Sequence, residues 1–242
     1  MRPIRLIDLF RYHKRLGHQD AAIEELEAAI HKAAPGLLAR DQDWYSTWSS
    51  AVEAPQPQWP LTKAELDQIM LRKPESLTDD LMDDLARCCE VFKIDTRTEL
   101  AHFLGQCGHE SAGLRYPVEL HSGSNYEGRR DLGNVHPGDG VKFAGTGWLQ
   151  CTGRYNHQRF SDYLSSIGKP DPKVMQLGKT YTSAIYPWTI SGFWWHDNKM
   201  KRLIQQGASV DQVGARVNGR MPPNGAQDRR DYTARALKVL SV

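Results

Sequence analysis

Apolar positions along the chain recur at intervals of three and four, the repeat of an amphipathic helix. Residues 4–16 and 20–32 read as two such helices, the second with Ile23, Leu26 and Ile30 on one stripe and Asp20 able to cap it. Further on, Thr62 with Glu65, Thr96 with Glu99 and Ser209 with Gln212 each match the capping box, in which a hydroxyl accepts from an early helix amide and the acid or amide reaches back. Thr78, followed by Asp79 and Asp80, opens another helix, with Leu81, Leu85, Cys88 and Phe92 along one stripe. Residues 154–164, 183–196 and 227–240 also fit helices. The stretch 123–153 is rich in glycine and suits turns and short strands around a cleft. The expected fold is mainly α.

One break stands out. In residues 53–60, EAPQPQWP, Pro55, Pro57 and Pro60 alternate with polar residues, and no helix or central strand runs through such a segment. The chain therefore divides into a small N-terminal helical module (1–52), a proline-rich linker (53–60) and a larger domain (61–242). At the end of the module, Trp44, Tyr45 and Trp48 form either a packing cluster or a sugar-stacking surface.

Size and composition narrow the class. A chain of 242 residues allows one large domain and an appendage. With 40% hydrophobic residues and seven Trp it can bury a core, which excludes disordered and collagenous classes. No apolar run approaches the roughly 18 residues of a membrane helix, so membrane insertion is not expected. The first fifteen residues carry Arg2, Arg5, Asp8, Arg11, Lys14 and Arg15 without an apolar signal core. Synthesis in the cytoplasm is the expectation. Cys88, Cys89, Cys107 and Cys151 lack CxxC or Cys/His ligand spacing and read as reduced packing thiols. Charge is uneven: residues 110–242 hold 18 Lys and Arg against 11 Asp and Glu, net +7, whereas residues 1–109 are net −5. Such a half suits an anionic polymer, or is simply a solvated basic face.

Candidate chemistry centres on carboxylates. The helix begun at Thr96 reaches His109, Glu110 and Ser111 just before Gly113. A carboxylate at a helix C-terminus meets the negative end of the dipole, which favours a proton on the acid. Glu119 follows nine residues later, and Glu127 lies between Tyr126 and Gly128. Two carboxyls facing one cleft are the minimum apparatus for hydrolysing a glycosidic bond. His102 and His109 stand seven apart, but no HExxH or third ligand follows, so no metal site is expected. Trp188, Phe193, Trp194 and Trp195 read as core, whereas Tyr126 and Trp148, in the glycine-rich stretch, are candidates for the cleft.

Further motifs occur in order: His102 to Gln106 (HFLGQ), Gly108 to Leu114 (GHESAGL), Leu132-Gly133-Asn134, Gly138-Asp139-Gly140, Phe143 to Asn156 (FAGTGWLQCTGRYN), Val217-Asn218-Gly219 and Asp228-Arg229-Arg230. Together they resemble the family 19 glycoside hydrolases, most of all the phage and bacterial lysins of that group, whose relatives include chitinases. The resemblance spans about three quarters of the chain, from Leu61 to Leu240. It implies a lysozyme-like, mainly α fold and an inverting mechanism without cofactor or metal. By its motifs Glu110 is the general acid and Glu119 the base that holds the attacking water, with Thr152 helping to position that water. Gln150 and Asn156, in a strand-like run, together with Asn218 and Arg229, match substrate-binding positions. Glu127 remains an alternative base. The sequence departs from many relatives at Gly145-Thr146-Gly147, where they carry an arginine in place of Thr146, and in the short stretch from Leu120 to Asp131.

The resemblance leads to the expectation of an endolysin that hydrolyses β-1,4 bonds in the glycan strands of peptidoglycan. It would act as a monomer on the wall after release through the membrane, with no nucleic acid partner. A chitinase is the alternative, and a non-catalytic wall-binding protein is the alternative of another class. In the first reading the N-terminal module is a candidate wall-binding unit.

Overall fold

A computed structural model describes residues 61–72 and 76–240 of the chain. The expected N-terminal module, its aromatic cluster and the linker lie outside the described residues.

The described residues are mainly helical, in the order α1 (Lys63–Met70), α2 (Asp79–Phe92), α3 (Arg97–Glu110), α4 (Asp139–Lys142), α5 (Arg154–Ser166), α6 (Lys173–Leu177), α7 (Lys179–Ile185), α8 (Pro187–Asp197), α9 (Met200–Gln205), α10 (Val210–Asn218) and α11 (Ala226–Val239). Single 3-10 turns form at Ser124–Tyr126 and Arg130–Leu132. The capping boxes at Thr62/Glu65 and Ser209/Gln212 are complete. At Thr96 half of the box forms: its hydroxyl accepts from the Glu99 amide. The Glu99 side chain instead turns into the core, where its Oε1 accepts from Trp195 Nε1 at 3.2 Å and Lys201 lies 3.5 Å from its Oε2. Burial and a cation outcompete the local cap.

Two sequence expectations change. Residues 183–196 are not one helix; α7 ends at Ile185 and α8 starts afresh at Pro187. Proline lacks the N–H that a continuing helix requires and disfavours helical backbone in the residue before it, here Tyr186. The new N-terminus is capped from a distance, because the buried Asp84 of α2 accepts from Trp188 N at 2.7 Å and Thr189 N at 3.2 Å. The strand-like run from Leu149 to Asn156 is no strand either. Among the described residues, β pairing is confined to isolated bridges, Val118 with Thr146 and Thr146 with Cys151. Gln150 takes a left-handed φ of 53°, and Gly153 leads directly into α5.

The core gathers Leu66 and Ile69 of α1, Leu85 and Phe92 of α2, Leu100, Phe103 and Leu104 of α3, and Trp188, Ile190 and Trp195 of α8. Phe103 meets Trp195 edge-on at 5.2 Å between centroids. All four cysteines are free and buried. Helix α3 runs along α11 at close range, and two glycines permit it. A Cβ on Gly105 would stand 2.0 Å from Thr233 Oγ1, and one on Gly108 would stand 2.7 Å from the Tyr232 ring. That closeness lays the end of α3 against the start of α11, where the site begins.

Candidate active site

Glu110 is the last residue of α3, and its side chain is 23% exposed. One of its oxygens accepts from Nη2 of Arg229, in the first turns of α11. Arg229 is fully buried. Its Nη1 donates to Gln106 Oε1 at 2.5 Å and its Nε to the Asn224 carbonyl at 2.9 Å. A planar guanidinium thus ties α3, α11 and the loop between α10 and α11 together. Next to this pair, His109 and Asp228 form a second one, Nδ1 to Oδ2 at 2.7 Å. Asn218 ends α10, and its Oδ1 accepts from Asn224 N at 2.9 Å. Asn218 therefore holds the same loop that supplies the Asn224 carbonyl to Arg229.

The connection from Glu110 to Glu119 is a compact turn. Ser111 Oγ donates to Cys107 O at 2.6 Å and accepts from Leu114 N at 2.8 Å. Ala112, Gly113 and Leu114 all take left-handed backbone, with φ of 52°, 71° and 61°. Such backbone costs energy for Ala and Leu and persists where the surroundings impose it. The Arg72 guanidinium, which donates to the Leu114 carbonyl, helps to hold it. The turn delivers Glu119 to the edge of the Gly145 loop, where Glu119 N donates to Gly145 O at 2.9 Å.

Glu119 is half-buried and meets two donors. Tyr126 Oη donates to its Oε1 at 3.0 Å and Gly145 N to its Oε2 at 3.1 Å. Burial, followed by the hydrogen bond to Glu119, pushes the Tyr126 phenol above its ordinary value, so it remains a donor. Asn134, fully buried, secures Tyr126 in turn: its Nδ2 donates to the Tyr126 carbonyl at 2.9 Å while its Oδ1 accepts from Arg154 N at 2.8 Å. Gln150 sits on the other side of Gly145. Its Nε2 donates to the Tyr116 and Gly147 carbonyls at 3.4 and 3.3 Å, leaving Oε1 toward Gly145. Thr152 Oγ1 donates to the Gln150 carbonyl at 2.9 Å, and Asn156 Nδ2 to the Thr152 carbonyl at 2.7 Å. The hydroxyl thus spends its proton on the loop and keeps its lone pairs as acceptors.

Glu127 is placed otherwise. Its Oε1 accepts from Gly138 N at 2.7 Å and its Oε2 from Gly140 N at 2.8 Å, so both oxygens close the start of α4. Trp148 corrects the sequence reading. It is 3% exposed, packs edge-on against Trp188 at 5.5 Å, and belongs to the core rather than to a cleft wall. Trp188, Phe193 and Trp195 are buried as expected. Thr146, at the departure from the family pattern, is buried with its hydroxyl 3.1 Å from that of Thr182. Gln106, Ser111, Asn134 and the Gly145 amide are the working groups that sequence reasoning did not assign. All four lie inside the ordered motifs, but nothing local says what they touch. Among the described residues no group of three or more His, Cys, Asp or Glu side chains is placed to hold a metal ion.

No protein-family model matches the chain. A glycosyl hydrolase family 19 domain-containing protein from Haemophilus influenzae is 28% identical over 174 residues, covering 59% of this chain and 80% of that protein. The fold agrees with it. The crystal structure of chitinase C from Streptomyces griseus superposes with a TM-score of 0.54 at 19% identity, covering 74% of this chain and 92% of the other. A class IV family 19 chitinase from Zea mays gives 0.55 at 18% identity over 75% and 93% of the two chains. A bacterial family 19 chitinase gives 0.54 at 23% identity over 74% and 94%. The chain is a homologue of the family 19 glycoside hydrolases. As a family 19 relative it has a lysozyme-like, mainly helical fold, and its general chemistry is the hydrolysis of a glycosidic bond.

Proposed function

We propose that this family 19 relative is an endolysin that cleaves β-1,4 bonds between the N-acetylated amino sugars of bacterial peptidoglycan, with inversion at the anomeric carbon. The observation that carries the reading is the pair of half-buried glutamates, Glu110 and Glu119, joined by one rigid turn and each held by its own donors. Glu110 gives its proton to the leaving oxygen, and Arg229 binds the carboxylate that the transfer leaves behind. Glu119 takes a proton from the water that attacks from the opposite face, with its two oxygens oriented by Tyr126 and Gly145. Glu127, both of whose oxygens are committed to backbone amides, is the weaker candidate for the base. Gln150, Thr152, Asn156 and Tyr126 supply polar groups beside Glu119 for sugar hydroxyls and N-acetyl groups. Asn218 acts mainly through the loop that it holds.

The net +7 of residues 110–242 favours an anionic wall polymer. Chitin is neutral and gains nothing from that charge. Chitin is nevertheless the second reading, because the structures that share this fold are chitinases. Incubation with purified sacculi beside soluble chito-oligosaccharides, followed by mass spectrometry of the products, separates the two. Cleavage confined to chito-oligosaccharides overturns the peptidoglycan assignment, and sacculus binding without new reducing ends would make the chain a wall-binding protein. In the proposed role residues 1–52 add affinity for the wall, so proteolysis between Glu53 and Leu61 should weaken binding to sacculi.

A further inference from the structure

We propose that Gln106 is a positioning residue for the acid: it fixes Arg229 at the angle from which the guanidinium meets Glu110. This rests on the reading of Glu110 as proton donor given above. His102, Gln106 and Glu110 follow at four-residue steps along α3 and share one face of the helix. Gln106 is fully buried; its Oε1 accepts from Arg229 Nη1, and its Nε2 has no hydrogen-bond partner among the described residues. A guanidinium only donates, so the amide oxygen must face it, and turning the amide over would set donor against donor. The nitrogen is thereby left unpaired in the interior, a cost that the structure carries for the sake of the oxygen. What the amide provides in return is its oxygen, and that oxygen acts on Arg229.

The geometry makes this control effective. Arg229 is gripped at two separate corners of its plane, at Nε by the Asn224 carbonyl and at Nη1 by Gln106, and fixing those two points of a rigid fork fixes the third, Nη2, on Glu110. Its stem cannot swing aside, because even a Cβ on Gly214 would stand 2.9 Å from Arg229 Cδ. The neighbour one turn back, His102, is pushed down by burial and brings no competing positive charge at neutral pH. Without the Gln106 oxygen, Nη1 would lose its acceptor and the guanidinium could rotate toward the carboxylate, displacing the group that must align with the leaving oxygen.

The test compares Gln106→Met, Arg229→Met, the double variant and Glu110→Gln, reading kcat and KM on soluble glycan fragments from digested sacculi together with Tm. Gln106→Met should still fold, with Tm lowered by the acceptor that the buried Arg229 Nη1 loses, leave KM within about twofold and lower kcat by about ten- to a hundredfold, the scale of a small misplacement of a reacting group. The double variant should be no slower than Arg229→Met alone, since both changes act through one contact. Gln106→Leu repeats the measurement should the methionine variant not fold. Wild-type kcat in a folded Gln106 variant overturns the proposal, as does a loss that adds to that of Arg229→Met. If Glu110→Gln is inactive while Gln106→Met is unaffected, the positioning role alone fails. A fully active Glu110→Gln would take down the acid assignment and this inference with it.

Discussion

Glu119 and Tyr126, seven residues apart, meet through a 3.0 Å hydrogen bond from the phenol to the carboxylate. The bond crosses the short segment in which this chain departs from many of its relatives, so the orienting donor of the proposed base comes from that segment. Tyr126→Phe should fold normally and lower kcat by about tenfold, the equivalent of about 1.4 kcal/mol in the barrier. Glu119→Gln should lower it by at least about a hundredfold, the scale of general base catalysis. Dye release from labelled sacculi, with circular dichroism as a check on folding, reads both. A Tyr126→Phe enzyme as fast as the parent would show that Gly145 N alone orients the base.

The second carboxylate of that region should behave as a structural group. Glu127 closes the N-terminus of α4 through Gly138 N and Gly140 N, and loss of such a cap typically costs about 1 kcal/mol. Glu127→Ala should lower the melting temperature while the folded fraction keeps most of its kcat. An inactive, fully folded variant would move the base assignment to Glu127.

Gly145 has no room for a side chain. A Cβ there would stand 2.5 Å from Gln150 Oε1 and 3.2 Å from Glu119 Oε2. The backbone at Gly145 is not left-handed, so alanine is conformationally tolerated and its effect falls on the two side chains. Gly145→Ala should retain helical content and reduce kcat/KM by about tenfold or more, in line with displaced catalytic geometry. Unchanged kinetics would mean that Gln150 and Glu119 move aside without consequence.

Stability should fall on acidification as a buried histidine resists its proton. His157 is fully buried beside Phe143, with Nδ1 2.9 Å from the Gly153 carbonyl, and burial pushes it down to about 4. Its unfolded value is near 6.5. Between these two values the unfolded chain binds the proton and the native protein does not, so stability is present above about pH 6.5 and is lost as pH falls toward 4. The full effect is on the order of 3 kcal/mol. His102, also pushed down by burial, adds in the same direction. Denaturant melts of His157→Gln between pH 4 and 7 should show a flatter dependence than the parent. An equal slope in both would remove His157 as its source.

Local chemistry was legible in the sequence wherever the determining forces act within a few residues. The caps at Thr62, Thr78 and Ser209 form as their spacing indicates, because hydroxyl and amide lie within one helical turn. The stripe through Leu85, Cys88 and Phe92 is buried, as its period requires. The helical period and the caps indicated a mainly helical fold, and the ordered motifs indicated the family around Glu110 and Glu119. What the sequence could not supply were contacts across long separations. Glu99 gives up its local cap for Trp195, 96 residues away, Asp84 caps a helix 104 residues on, and Arg229 reaches Gln106 across 123 residues. The fate of Trp148 was likewise decided by its neighbour Trp188, since a glycine-rich stretch looks the same in sequence whether its tryptophan points to solvent or inward. In each case the deciding partner lies outside the group's local sequence. Burial, which follows only once α3, α8 and α11 have packed, selected the distant one.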